Sequence, residues 1–247
     1  MAKEFNGNDN LTFLRINRDG LLYRGVNQHE KSLSEQELKD KGFKPVKLKD
    51  DRVVYHKTFS STEDGYLSYL AIKEKEFKDG KVKYLELIIQ GQDASDMISF
   101  PLFKPNGTLS DYIKNLATLL PNLDFSKRIN IVPSRKKNDR GYVEQNVFIN
   151  YPDEQGDANF VKFAHLYGEN GDIPPAEKVE GLDDKPKYDF TKQDTFLYKI
   201  LKEQIERFKE FKGTNSTPED TNTNSNSENQ NGADEALNDD DHDDLPF

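Results

Sequence analysis

A mainly β body, with one or two helices and a long acidic tail, is the fold class this sequence predicts. Three observations predict it. Short runs rich in Val, Ile, Tyr and Phe recur between turn signals such as Asn17-Arg18-Asp19-Gly20, Glu63-Asp64-Gly65, Lys78-Asp79-Gly80 and Asn138-Asp139-Arg140-Gly141, the pattern of hairpin-linked strands. Apolar residues fall at helical spacing in two places. From Gly213 to Leu237 the chain is mostly Asn, Ser, Thr, Gly and Glu with almost no apolar side chains, too polar to offset the entropy lost on ordering.

In chain order the expected strands are Leu11 to Ile16, Leu21 to Val26, Val53 to Ser60, Tyr66 to Phe77, Val82 to Gln92, Met97 to Phe103, Arg128 to Ser134, Tyr142 to Asn150 and Phe160 to Tyr167. Their β-branched and aromatic side chains suit a pleated, half-buried surface. One helix interrupts them, with Thr108 or Ser110 as N-cap, Ile113, Leu116, Ala117 and Leu120 at i, i+3, i+4, i+7, and Pro121 as the stop. A lone helix among short strands suits an OB-fold, a five-stranded, partly open barrel that binds oligonucleotides across one sheet face. More than five strands are expected here, so residues 1–190 read as an elaborated OB-fold barrel with extra hairpins, a simple β-sandwich being the alternative. A second helix, about Thr191 to Phe211, carries the stripe Phe196, Leu197, Ile200, Leu201, Ile205, Phe208 and Phe211. Residues 191–212 are expected to pack on the body through it, with a homodimer contact as the alternative. Residues 213–247 are expected to form a disordered acidic tail.

Composition narrows the function classes. The 247 residues include no Cys and no run of 18 apolar residues, so no disulfide, Cys-based zinc site or membrane span is expected. Met1 to Asn8 lacks the apolar run of a signal peptide, which points to an intracellular protein. The four His, at 29, 56, 165 and 242, are scattered; no metal and no cofactor is expected. The net charge of −10 is confined to the tail, since residues 213–247 hold ten acids and no Lys or Arg, leaving 35 acids and 35 bases in residues 1–212. A neutral body can segregate a basic face, and the tail can compete with nucleic acid for it.

Single-strand binding without sequence preference needs aromatic faces for stacking and cations for phosphates. Alternation along Val53 to Phe59 puts Tyr55, Lys57 and Phe59 on one face; in Tyr66 to Phe77 it groups Tyr69, Lys73, Lys75 and Phe77 opposite Leu70 and Ile72. An aromatic and cationic ladder on these two strands is the expected DNA-binding surface. A second set surrounds the most basic window of the chain, where Arg135, Lys136, Lys137 and Arg140 are expected to meet phosphate and Tyr142 or Phe148 to stack, the hairpin acting as a flap. With 27 Phe and Tyr in the chain, most of them must be core.

The chain ends Asp239-Asp240-Asp241-His242-Asp243-Asp244-Leu245-Pro246-Phe247, an acidic strip with an apolar hook. Asp residues give long-range attraction to a basic rim, Pro246 limits the conformations lost on binding, and Phe247 can fill a pocket while its α-carboxylate meets a cation. Asp243, Asp244, Leu245, Pro246 and Phe247 resemble the tip of bacterial and phage single-stranded DNA-binding proteins (SSBs), with Leu where those have Ile and His242 interrupting the Asp run. The resemblance covers about ten residues. It implies strand protection in replication, recombination and repair, and recruitment of replication and repair proteins through the tip. Many bacterial SSBs stack bases on Trp, which is absent here. The length of the body fits a divergent phage SSB better than the bacterial domain, and the implied location is the cytoplasm of a bacterium or of a phage's host.

Other functions stay open. Neighbouring acids such as Asp93 and Asp96, or Asp183 and Asp184, could hold Mg²⁺ for nuclease chemistry, but no phosphate loop, nucleophile elbow or His–carboxylate set completes a site, so no catalysis is expected. A recombination mediator or annealing protein would share tail and single-strand affinity. A protein-interaction adaptor would share only the tip.

Overall fold

The computed structural model describes residues 11–17, 19–48, 50–77, 80–137, 139, 141, 143–168, 170–179 and 187–215. The fold is mainly β. In chain order the first elements are β1 (Leu11–Ile16), β2 (Leu22–Arg24), a single 3₁₀ turn Gln28–Glu30, α1 (Glu35–Asp40), β3 (Lys44–Lys47) and β4 (Val53–Phe59). There follow β5 (Tyr66–Phe77), β6 (Gly80–Gln90), β7 (Ser95–Pro101), α2 (Asp111–Leu119), β8 (Asn130–Lys137), β9 (Val143–Asn150), the short pair β10 (Glu177–Val179) and β11 (Lys187–Asp189), and α3 (Thr191–Asn215).

Seven strands form one sheet in the order β3-β4-β2-β1-β7-β6-β5. Every pairing in it is antiparallel except β1 with β7. Its inner face carries Leu14, Leu22, Leu70, Leu85, Leu87, Ile98 and Phe100, all buried, in one cluster with Ile113, Leu116 and Ala117 of α2 and Leu197, Leu201, Ile205 and Phe208 of α3. Each such side chain taken fully out of water contributes about 1.5–3 kcal/mol. The stripe of α3 is therefore spent on the body. Arg207 of α3 also donates to the carbonyls of Pro121 and Leu123, each at 2.9 Å, where the chain leaving α2 has carbonyls without a helical partner.

The β8–β9 hairpin joins the sheet at the start of β5. Gly65 and Ile129 exchange backbone hydrogen bonds of 2.9 and 2.7 Å, and Thr62 donates to the Ile131 carbonyl at 3.0 Å. The β1–β2 turn packs on the same hairpin through Gly20. That residue has φ of +77°, and a Cβ there would lie 2.6 Å from the Cβ of Arg135 and 2.9 Å from the carbonyl carbon of Ser134, so both backbone conformation and space demand glycine.

The structure departs from the sequence expectation in three places. Among the described residues there are three α-helices rather than one or two. The extra one, α1, starts with a capping box: Glu37 N–H donates to Ser34 Oγ at 3.4 Å and Ser34 N–H to the Glu37 carboxylate at 2.8 Å. Phe160 to Tyr167 is no strand; after one bridge to Asn150 it runs beside α2, Ala164 N–H donating to the Thr118 carbonyl at 2.8 Å. A carbonyl in the last turn of α2 lacks a helical donor, and this segment supplies one. The third departure is in strands not anticipated, β3 and the β10–β11 pair. No helix among the described residues is long and apolar enough to cross a membrane.

Candidate nucleic-acid interface

β4 and β5 are consecutive in the chain but stand four strands apart in the sheet, with β2, β1, β7 and β6 between them. Their faces follow from the register. Phe59 pairs with Leu22, Leu22 with Ile16, and Leu14, on the same side of β1 as Ile16, with Ile98. Phe59, and with it Tyr55 and Lys57, therefore lies on the inner face. Phe59 packs against the core; Lys57 Nζ lies 5.9 Å from its ring centroid. Tyr55 sits where the α1 segment covers this face and donates to Glu35; desolvation and that carboxylate raise its pKa. Beside them Arg24 makes a two-pronged pair with Glu30, at 2.6 and 2.9 Å.

The outer face carries the second set. Phe13 pairs with Met97, Met97 with Ile88, and Ile88 with Tyr69, so one row crosses β1, β7, β6 and β5 in register, about 14 Å from end to end at ordinary strand spacing. Phe13 is 49% exposed; Met97, Ile88 and Tyr69 are half-buried. A bulge at Ser68, between the pairs Leu67–Ile89 and Tyr69–Ile88, puts Tyr66, 51% exposed, on the same outer face as Tyr69. Cations flank the row on one side. Lys73 Nζ lies 5.9 Å from the Tyr69 ring and Lys75 Nζ 5.5 Å from the Tyr84 ring. Arg15, two residues from Phe13, acts on Tyr84 from across the sheet: burial raises the pKa of that hydroxyl and the Arg15 charge opposes the rise. Glu86, the buried acid of this face, is bonded by Lys75 at 2.8 Å.

The expected ladder is thus divided: Tyr69, Lys73 and Lys75 share the open outer face, while Tyr55, Lys57 and Phe59 lie on the other side of the sheet. The basic hairpin is divided too. Pairing of Pro133 with Val147 and Val132 with Phe148 turns Arg135 inward, near Tyr112, whose hydroxyl is pushed up to about 12 by burial, Arg135 acting in the opposite sense. Lys136 and Phe148 face outward, both exposed, and Lys137 is exposed near the tip. Arg140 and Tyr142 lie outside the described residues, as do Asp243, Asp244, Leu245, Pro246 and Phe247. Phe13, Arg15 and Tyr66 were not anticipated, although alternation in Leu11-Thr12-Phe13-Leu14-Arg15-Ile16 already sets Phe13 and Arg15 opposite Leu14 and Ile16.

Of the acids considered for metal chemistry, Asp93 and Asp96 are the described ones. Asp96 is buried, which raises its pKa, while the Glu63 N–H donated to it at 2.8 Å opposes the rise; Asp183 and Asp184 lie outside the described residues. Among the described residues no group of three or more His, Cys, Asp or Glu is placed to hold a metal ion. No protein-family model, no curated protein and no solved structure matches this chain.

Proposed function

We propose that this protein binds single-stranded DNA with little sequence preference, protecting it in replication, recombination and repair, and recruits partner proteins through Asp243, Asp244, Leu245, Pro246 and Phe247. The observation that carries the reading is the outer-face row Phe13, Met97, Ile88 and Tyr69, exposed at Phe13 and half-buried at the other three, joined by exposed Tyr66 and flanked by Arg15, Lys73 and Lys75. Aromatic rings at its ends offer faces to any base, the apolar floor between them tolerates any base, and the cations stand at one side for phosphates. Lys136, Lys137 and Phe148 extend the proposed surface onto the β8–β9 hairpin. An OB-type barrel, elaborated by α1 and by a long β5–β6 hairpin, is the fold we propose; the bonds from Gly65 and Thr62 to β8 and the packing of Gly20 on Arg135 support a sheet that curls on itself.

The test is binding of the full chain to fluorescent oligo-dT and to duplex of equal length across a salt titration. Preference for the single strand, with log K falling by about 0.7 per phosphate neutralised for each unit of log salt, is the expected result. Failure to bind either ligand at low salt would refute the nucleic-acid reading and leave an adaptor acting through the tip.

A further inference from the structure

We infer that the β5–β6 hairpin beyond β7 is an arm along whose outer, Lys75 side a bound single strand continues after leaving the Phe13–Tyr69 row and passing Lys73. The inference rests on the outer face being a single-strand site, and gives that site a direction and a length.

β7 ends at Pro101, opposite Tyr84, and Leu102 N–H still donates to the Lys83 carbonyl at 2.8 Å, so residues 75–77 and 80–82 are the ones that pair with each other alone within the sheet. Two-stranded ribbons are marginal by themselves, and the two faces of this one differ in charge. On the inner side Glu74 sits 3.1 Å from Lys81 and 3.9 Å from Lys83, and with Glu76 the two acids and two bases cancel. On the outer side the described residues are Lys73, Lys75, Phe77, Val82 and Tyr84, with no acid among them. The first carboxylate met there is Glu86, 4% exposed and already paired with Lys75. A ribbon shaped only for solubility would mix signs on both faces; this one keeps its positive charge on the side continuous with Tyr69.

Charge also sets the direction. At the N-terminal end of β5 stand Glu63 and Asp64, exposed, which repel phosphate; toward the arm stand Lys73 and Lys75. Lys73 and Lys75 are about 6.8 Å apart along an extended strand, close to the repeat of phosphates in a stretched single strand. From Tyr69 to Phe77 β5 spans about 27 Å, room for about four nucleotides beyond those on the row.

The experiment compares dT4 with dT12 as competitors of fluorescent dT20 for the full chain, for Val82→Glu, which places a carboxylate on the outer side of the arm, and for Lys81→Glu, which reverses a charge on its opposite side. Val82→Glu should weaken dT12 by about tenfold at low salt and leave dT4 within about twofold, while Lys81→Glu should leave both. Equal loss on dT4 and dT12, or equal loss in the two variants, would overturn the arm. Absence of dT20 binding by the unaltered chain would instead remove the reading beneath it, and the arm with it.

Discussion

Replacing Phe13 separates binding from folding more sharply than any other single change. Its ring is 49% exposed, so truncation to Ala forfeits about half of what a fully buried Phe contributes, about 1 kcal/mol. A fully buried neighbour on the inner face, Phe100, would cost about 3–5 kcal/mol on the same truncation. If one base stacks on Phe13, affinity for dT20 should fall by about 1–3 kcal/mol, which is about 5- to 150-fold. Phe13→Leu sharpens the case, because Leu keeps most of the contact with Met97 and loses the aromatic face. Urea unfolding and fluorescence anisotropy with dT20, run on the unaltered chain and both variants, read the two quantities separately. Phe13→Leu should unfold within about 0.5 kcal/mol of the parent and still bind several-fold more weakly. Unchanged affinity in both variants would refute stacking at this position and, with it, the role of the row.

Other consequences are equally direct. Gly20→Ala should destabilise by about 1–3 kcal/mol in urea unfolding, because φ is +77° and the new methyl meets the backbone of Ser134 and the Cβ of Arg135. The hydrogen bonds from Arg24 hold the Glu30 carboxyl below its ordinary 4.5. The stability this pair gives is present in full above pH 4.5 and lost as pH falls through the depressed folded value. The difference in melting temperature between the parent and Arg24→Gln should therefore be constant near neutrality and shrink in acid. Removing residues 216–247, which hold ten acids and no Lys or Arg, should tighten dT20 binding at low salt, the gain vanishing near 1 M salt where screening acts within about 3 Å. Deleting Phe247 alone should weaken partner recruitment with DNA affinity intact.

Local chemistry made many elements legible. Ser110, the Ile113-Leu116-Ala117-Leu120 spacing and Pro121 located α2, and Val, Ile and Phe between Gly-containing turns located most strands. α1 carried a readable Ser34…Glu37 capping box, but six residues with a single buried apolar side chain, Leu38, give little helical period. Phe160 to Tyr167 has strand composition, yet it pairs with β9 only at its start, through Phe160 and Val161, before it turns to a carbonyl in the last turn of α2. The candidate site was half legible: Tyr69, Lys73 and Lys75 follow from alternation within one strand. What alternation cannot give is which face of each strand meets solvent, because that depends on pairings such as Phe13 with Met97 and Leu22 with Phe59. Consecutive strands invite the assumption of a shared face, and for β4 and β5 the intervening four strands remove it.

The parallel pairing of β1 with β7 places a burden on synthesis. Met97, the partner of Phe13, leaves the ribosome 84 residues later, about 4–17 s at ordinary elongation rates. Until then β1 is held only on its other side, where Arg15 and Ile16 pair with β2, while Phe13 and Leu14 wait for their β7 partners; β5, β6 and β7 are adjacent hairpins that zip as they emerge. Closing so long a loop is also slow by entropy alone. The β3-β4-β2-β1 half of the sheet thus waits with one edge of β1 unpaired, and Phe13, which ends at one end of the stacking row, spends that interval on an open edge.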